Sequence, residues 1–422
     1  MDVLFLAHRI PYPPNKGDKI RSWHILKHLA ERARVHLGCF IDDPADMQHQ
    51  ETLRAVVGGE CCFVPITPLS SRLRGLKGLL DGQSITASYY PREPLAGWVS
   101  QVVARHKVER VFLYSSAMYP FAHRILSPSR RVVMDFVDMD SDKWRQYAES
   151  KRWPMSALYR REAVKVLGLE REAAYRSDVS LFVTDAEVAS FKAVAGSAAH
   201  DVRAMFNGVD HETFSPGARF EPMTLPGKPN LVFTGAMDYW ANVDAVVWFA
   251  DEVLPKVCAA LPETHFTIVG ARPSPEVQRL GRRPGITVTG TVDDVRPYIA
   301  AADVAVAPLR IARGVQNKVL EAMAMAKAVV TTPAAAQGIA ATPGKEFLVE
   351  AGPQEMADAV IGLARDPGRA AALGQAARRL VLDRYDWGRS LSLLDDLLDL
   401  TPQRQGESAV VPLSRATGGD AA

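Results

Sequence analysis

The chain has 422 residues, room for about two to three domains, with 47% hydrophobic residues, 23% charged residues and a formal net charge of +2. That balance excludes a strongly basic nucleic-acid binder and an acidic scaffold, and no apolar run approaches the ~18 residues needed to span a bilayer. The four cysteines, Cys39, Cys61, Cys62 and Cys258, have no Cys-x-x-Cys spacing and two are adjacent. Neither a zinc site nor a disulfide framework is expected, and a reduced, cytoplasmic setting fits.

Met1 to Ala7 begins with an acid and reads as a buried strand rather than a signal peptide. Further strands are expected at Val35–Phe40, Arg110–Tyr114, Val132–Val137 and Leu181–Thr184. Helices are expected at Ile20–Arg32, Leu95–His106 and Ala157–Arg176. Asn207-Gly208 and Pro216-Gly217 are turn formers, and Pro222, Pro226, Gly227 and Pro229 follow, so a linker is placed at 207–229. A second series of strands is expected at Leu231–Thr234, Thr264–Val269, Ile286–Gly290, Val304–Ala307 and Ala328–Thr332. Helices at about 243–260, 293–301, 317–326, 353–365 and 367–384 accompany them. The resulting plan is an α/β domain at 1–206, the linker, and a second α/β domain at 230–385. A terminal helix at 386–400 packs back on the first domain, and a tail at 401–422 is compositionally disordered. Parallel sheets facing each other leave a cleft that a ligand could bridge.

Four loops carry candidate chemistry. After the Val304–Ala307 strand, Gly314 gives a permissive backbone, Asn317 is placed to cap a helix, and Glu321 lies one turn in. Backbone N–H groups and the helix dipole there suit a phosphate, and Glu321 suits sugar hydroxyls. After the first strand, the Gly17 loop adds Lys16, Lys19 and Arg21 where open α/β sheets bind ligands. Gly235 mirrors it at the start of the second domain, with Asn242 as an expected helix cap. The run Asp135–Trp144, at the end of the expected Val132–Val137 strand, holds Asp135, Asp138, Asp140 and Asp142. Asp138, Asp140, Asp142 and Glu149 match four positions of a calcium loop, but Lys143 stands where that loop needs Gly, so no metal is expected. Asp138 is instead expected at the cleft, facing a substrate hydroxyl. Ser71–Leu80 and Lys151–Arg161 mix bases with Leu, Trp or Tyr and could rest on an anionic membrane or form solvated helix faces. No Gly-x-Gly-x-x-Gly follows a strand, which argues against an NAD enzyme.

In their order, the Gly17 loop, the Phe206–Pro216 linker, the Gly235 loop, Thr289–Asp294 and Leu320–Ala324 resemble family 4 retaining glycosyltransferases of the GT-B fold. The resemblance runs over about residues 1–400. More narrowly, Asp135–Trp144, Met237–Tyr239 with Asn242–Val246, and Gly314–Ala324 are similar to glycosyltransferases of the exosortase/PEP-CTERM exopolysaccharide system. The resemblance implies that Glu321, as the second Glu of the family's Glu-x7-Glu motif, binds the ribose. Arg313 stands where the first Glu belongs. Gly314 and Val315 would hold the diphosphate or sugar by their backbone. Val137 or Asp138 takes the place of a family His. Lys318 is the candidate to neutralise the diphosphate, with Arg310 or Arg313 behind it.

On this reading the site residues are Asp138, Lys318 and Arg313 for catalysis, and Gly17, Gly235, Asn242, Gly314, Val315 and Glu321 for the donor. No cofactor or metal is expected. The implied partners are a UDP- or GDP-sugar and a saccharide acceptor, lipid-linked, with peripheral membrane contact at the inner face and no nucleic acid. A catalytically degenerate sugar-nucleotide-binding protein and a GT-B nucleotide-sugar epimerase are the alternatives.

Overall fold

The computed structural model describes residues 1–14, 17–221, 223–312 and 314–400. Strands β1 (Asp2–Ala7), β2 (Arg34–Ile41), β3 (Gly58–Pro65), β4 (Arg110–Tyr114), β5 (Arg131–Val137), β6 (Val179–Phe182) and β7 (Val202–Ala204) form one sheet, ordered β3-β2-β1-β4-β5-β6-β7. Strands β8 (Asn230–Thr234), β9 (His265–Val269), β10 (Ile286–Val288), β11 (Val304–Ala307), β12 (Ala328–Thr331) and β13 (Leu348–Val349) form the other, ordered β10-β9-β8-β11-β12-β13. Every pairing within them is parallel. Helices cover both faces, so the inner strands are apolar on both sides: β4, β6, β8, β11 and β12 are buried over nearly their whole length. The strand order reverses between β1 and β4, and between β8 and β11. Ligands of such sheets bind outside the carboxyl ends of the strands at those two points.

The chain crosses between the sheets twice, and the two crossings lie side by side. Val209 N–H donates to Tyr385 O (2.8 Å), and Val209 bridges Asp386 in parallel. Beyond this point the helix Trp387–Leu397 joins the core of the first sheet, where Trp387, Leu391 and Leu394 pack with Val3, Phe5 and Leu26. Gly208 allows the contact: a Cβ there would lie 2.5 Å from Trp387 Cγ. Asn207-Gly208 is therefore a straight crossing and not the turn its composition suggested. The turn falls at His211–Thr213, closed by Asp210 Oδ1 accepting from Thr213 N–H (2.9 Å).

Arg21 anchors the crossing from below. Fully buried, it donates through Nε to Asp135 Oδ2 (2.8 Å) and through Nη1 to Met205 O and Asn207 Oδ1 (both 2.8 Å). The expected single helix at 243–260 is two helices, Trp240–Trp248 and Leu254–Ala260, joined by a wide π-type turn at Phe249–Val253. Pro255 lacks the N–H that a continuous α-helix would use there. The expected tail from Thr401 lies outside the described residues.

Candidate active site

In the second domain the site is built where β8 and β11 end. Gly235 follows β8 with φ 157°, and a Cβ on it would lie 3.1 Å from Lys318 Nζ and 2.8 Å from Asn242 Nδ2. Only a glycine lets the backbone pass this close. After β11 the loop reaches Gly314, whose φ of 59° lies in the left-handed region that glycine adopts without strain. The helix Asn317–Ala324 then begins. Asn317 is its first residue and not its cap; Gln316 precedes it, with its amide turned back to Gly314 O (3.3 Å). The first N–H groups of such a helix have no partner within it.

Lys318 and Glu321 stand one turn apart on this helix. Lys318 Nζ donates to Asn242 Oδ1 (2.5 Å) and lies over the Phe233 ring, 4.5 Å from its centroid. Asn242 Nδ2 donates in turn to Ala236 O (2.8 Å), which fixes the amide with its oxygen toward the lysine. Asn242 was expected to cap the helix after Gly235; Tyr239 occupies that place, and Asn242 bridges the Gly235 loop to Lys318 instead. Burial pushes the Lys318 ammonium down to about 7, with Glu321 opposing. Burial likewise pushes the Glu321 carboxyl up to about 7, with Lys318 opposing. Each side chain keeps partial solvent contact, yet protein surrounds it closely enough to disfavour its charge.

The first domain contributes the end of β5. Val137 has φ 69°, a conformation costly for a β-branched residue, and it turns the chain so that Asp138 leaves the sheet. Burial and then Asp140 raise the Asp138 carboxyl above its ordinary value. A Cβ on Gly314 would lie 3.4 Å from Asp138 Oδ1, so the two loops meet across the crevice. Val315 and Gly314 are partly exposed there, backed by Gly338.

Two sequence expectations change. Lys19 is buried and paired with Asp46 Oδ2 (2.6 Å), and Arg21 is spent on Asp135, so neither offers free charge beside Gly17. Arg310 pairs with Asp244 and covers Trp248, away from Lys318. Lys16 and Arg313 lie outside the described residues. Gly17 opens the helix Gly17–Ala30, one turn before Ile20.

Ile20, His24 and Pro14 line a cavity of about 270 Å³ together with Asp210, Trp387, Asn317 and Glu321. It lies between the domains, beside their crossing. His24 stacks on Trp387 (4.5 Å, 10°), and burial, with Lys27, pushes it down to about 4, so it is neutral at pH 7. His24, Asp210 and Trp387 were not among the sequence candidates. The four-residue spacing of Ile20 and His24 places both on one helix face, which is the one local signal for them. A wider hollow of about 670 Å³ is lined only by residues 238–310 of the second domain, so it is not the interdomain crevice. Asp2, His36 and His106 could bring metal-ligating atoms within 4.8 Å of one another at the opposite edge of the first sheet. There Asp2 Oδ1 already accepts from Arg34, and His36 Nδ1 from Glu60 N–H, which marks a structural cluster.

Residues 228–366 match the family model described as Glycosyl transferases group 1. No curated protein matches the chain in sequence. Among solved structures, sucrose-phosphate synthase from Thermosynechococcus elongatus is similar over 94% of this chain and 98% of its own, with 16% identity and a TM-score of 0.66. Anabaena HepE in complex with UDP-glucose is similar over 94% and 99%, with 16% identity and a TM-score of 0.64. WaaG, a glycosyltransferase involved in lipopolysaccharide biosynthesis, is similar over 94% and 99%, with 17% identity and a TM-score of 0.64. Two doubly wound sheets facing across Gly314 and Asp138 are thus the GT-B fold, and the chain has the build of a glycosyltransferase, with a glycosyl transferases group 1 domain at residues 228–366.

Proposed function

We propose that the chain is a metal-independent, retaining glycosyltransferase of family 4. It moves a sugar from a UDP- or GDP-sugar to a saccharide acceptor, lipid-linked, at the inner face of the cytoplasmic membrane. Its place in this reading is the exosortase/PEP-CTERM branch of exopolysaccharide biosynthesis. The observation that carries the core of it is the convergence of Gly235, Lys318, Gly314 and Glu321 at the carboxyl ends of β8 and β11. The UDP-glucose held by the Anabaena neighbour supports a UDP-sugar as the first donor to try.

In the reaction the bond from the anomeric carbon to the diphosphate oxygen breaks. A bond to the acceptor hydroxyl oxygen forms on the same face, and the hydroxyl proton passes to the departing diphosphate. The transition state is oxocarbenium-like, and the charge to be stabilised sits on the leaving group. Lys318 and the N–H groups opening the helix Asn317–Ala324 supply that stabilisation. Glu321, ionised, accepts from the ribose hydroxyls. Asp138, facing Gly314, accepts from a hydroxyl of the transferred sugar or the acceptor. The backbone at Gly314 and Val315 takes the role that the side chain of residue 313 would otherwise play.

Glu321→Ala is expected to weaken nucleotide-sugar affinity by about ten- to a hundredfold, the loss of a charge-assisted hydrogen bond or two. Calorimetry on both proteins reads it, and unchanged affinity would remove the ribose assignment. Asp138→Asn is expected to lower turnover by about a hundredfold with little change in donor affinity, because Asp138 lies on the opposite domain. An equal loss in affinity would place it on the donor instead.

Thermal shifts against UDP-, GDP-, ADP- and dTDP-sugars, with NAD alongside, test the function as a whole. A rise in melting temperature with one nucleotide class supports transfer and identifies the donor. Binding without transfer or hydrolysis would favour a degenerate partner protein, consistent with Arg313 in place of a glutamate.

A further inference from the structure

The helix Pro68–Leu80 is turned inside out. Its buried face is made of small residues, Ser71, Gly75 and Gly78. A Cβ on Gly75 would lie 3.0 Å from Ile85 Cγ2, and one on Gly78 would lie 2.1 Å from Ser88 Oγ, so the helix is pressed against Ile85–Ser88 by its glycines. The leucines face out: Leu69, Leu73, Leu76 and Leu80 are between 55 and 81% exposed. Their spacing of four, three and four residues draws one stripe along a helix about 20 Å long. Monomeric proteins rarely leave such a row of leucines in water.

The charges on this face have one sign. Arg72 and Lys77 are exposed between the leucines, and no acid occurs from Thr67 to Leu80. Arg74 is instead held at the side, donating to Tyr89 O (3.2 Å) and Ser71 Oγ (2.8 Å). A second segment repeats the chemistry. Lys151 to Met155 is exposed throughout, with Trp153 82% exposed. It opens the helix Met155–Tyr175, whose Arg161 donates to Leu79 O (3.2 Å), so the two segments flank one helix end. A leucine stripe rimmed by bases, with an exposed tryptophan nearby, is the composition of a surface that sinks shallowly into a bilayer interface. Two copies meeting through this face would bring like charges together.

We propose that Leu69, Leu73, Leu76 and Leu80, with Arg72, Lys77 and the Trp153 segment, form a docking surface for an anionic lipid bilayer. No helix among the described residues is long and apolar enough to cross a membrane, so this contact is peripheral. It does not depend on the sugar-transfer reading, because none of these side chains lines the crevice.

Sedimentation of the full chain with vesicles tests it, comparing phosphatidylcholine alone with phosphatidylcholine containing phosphatidylglycerol. The native chain is expected to bind the anionic vesicles selectively. Leu73→Glu with Leu76→Glu is expected to weaken that binding by at least about tenfold, as two apolar side chains leave the interface. Arg72→Gln with Lys77→Gln is expected to remove most of the preference for anionic lipid, also roughly tenfold, with the fold untouched. Nucleotide-sugar binding should be unchanged in both variants. Equal binding to the two vesicle types, no binding to either, or leucine variants that bind as well as the native chain would overturn the proposal. So would a native dimer that the leucine variants convert to monomer, since the stripe would then be covered by a second copy.

Discussion

Replacing Lys318 by methionine is expected to lower turnover by about a hundred- to a thousandfold, the range found when a group aimed at developing negative charge is removed. On the proposed reading Lys318 is the cation that meets the diphosphate: it sits beside Gly235, held by Asn242 and the Phe233 ring. Loss of turnover should not come from unfolding. Burial lowers the folded-state pKa of Lys318 to about 7, so between its unfolded value and 7 the unfolded chain binds the extra proton, and holding this ammonium in the fold opposes stability at neutral pH. Methionine removes that opposition, and the melting temperature at pH 7 is expected to hold or rise. A variant that is both inactive and much less stable would mean that the lysine is structural.

The same two residues set a pH dependence. If Glu321 binds the ribose as proposed, it must be ionised to accept the hydroxyls, so donor affinity should rise as pH rises through about 7. Lys318 must be protonated to meet a diphosphate, so affinity should fall as pH rises through about 7. The two groups interact and titrate as a pair, giving a narrow bell near neutrality rather than a broad plateau. Lys318→Arg keeps its charge and should flatten the alkaline limb alone. A native profile flat from about pH 5 to about pH 9 would contradict this, those limits being about two units either side of the midpoint.

The second large effect is on stability. Arg21→Met is expected to cost about 3–5 kcal/mol in urea unfolding, because it leaves the Asp135 carboxylate buried without its partner. It also strips Met205 O and Asn207 Oδ1 of their donor, at the point where the chain leaves the first domain. Arg21→Met combined with Asp135→Leu should recover most of the loss, since an apolar pair of similar volume replaces a charge pair at little net cost. If the double variant is as unstable as the single one, the contacts to Met205 and Asn207 carry the effect instead.

The fold was legible where burial is symmetric. The strands β4 and β11 and the helices Leu95–His106, Pro353–Arg365 and Pro367–Arg384 appear with the bounds their apolar runs imply. The edge strands β3, β7 and β13 were not legible. They are short or half-exposed, and β3 is partly buried over most of its length, so no continuous apolar run marks it.

The site divides along the same line. Glu321 and Lys318 could be placed on one helix from local spacing alone. Asn242 could not be given its role, because its partner lies 76 residues away. Lys19 and Arg21 looked like free charge beside Gly17 because Asp46 and Asp135, 27 and 114 residues distant, neutralise them only in the folded chain. The strained Val137 that directs Asp138 into the crevice has no sequence signature, since a β-branched residue argues against a positive φ.

Calorimetric titration of the native chain and of Glu321→Ala with UDP-glucose, followed by the GDP-, ADP- and dTDP-sugars, tests the central claim most directly. The expected result is saturable binding of one nucleotide class to the native chain, weakened about ten- to a hundredfold in the variant. Equal affinity in both proteins, or no heat from any nucleotide sugar at millimolar concentration, would contradict a nucleotide-sugar site built on Gly235, Lys318 and Glu321.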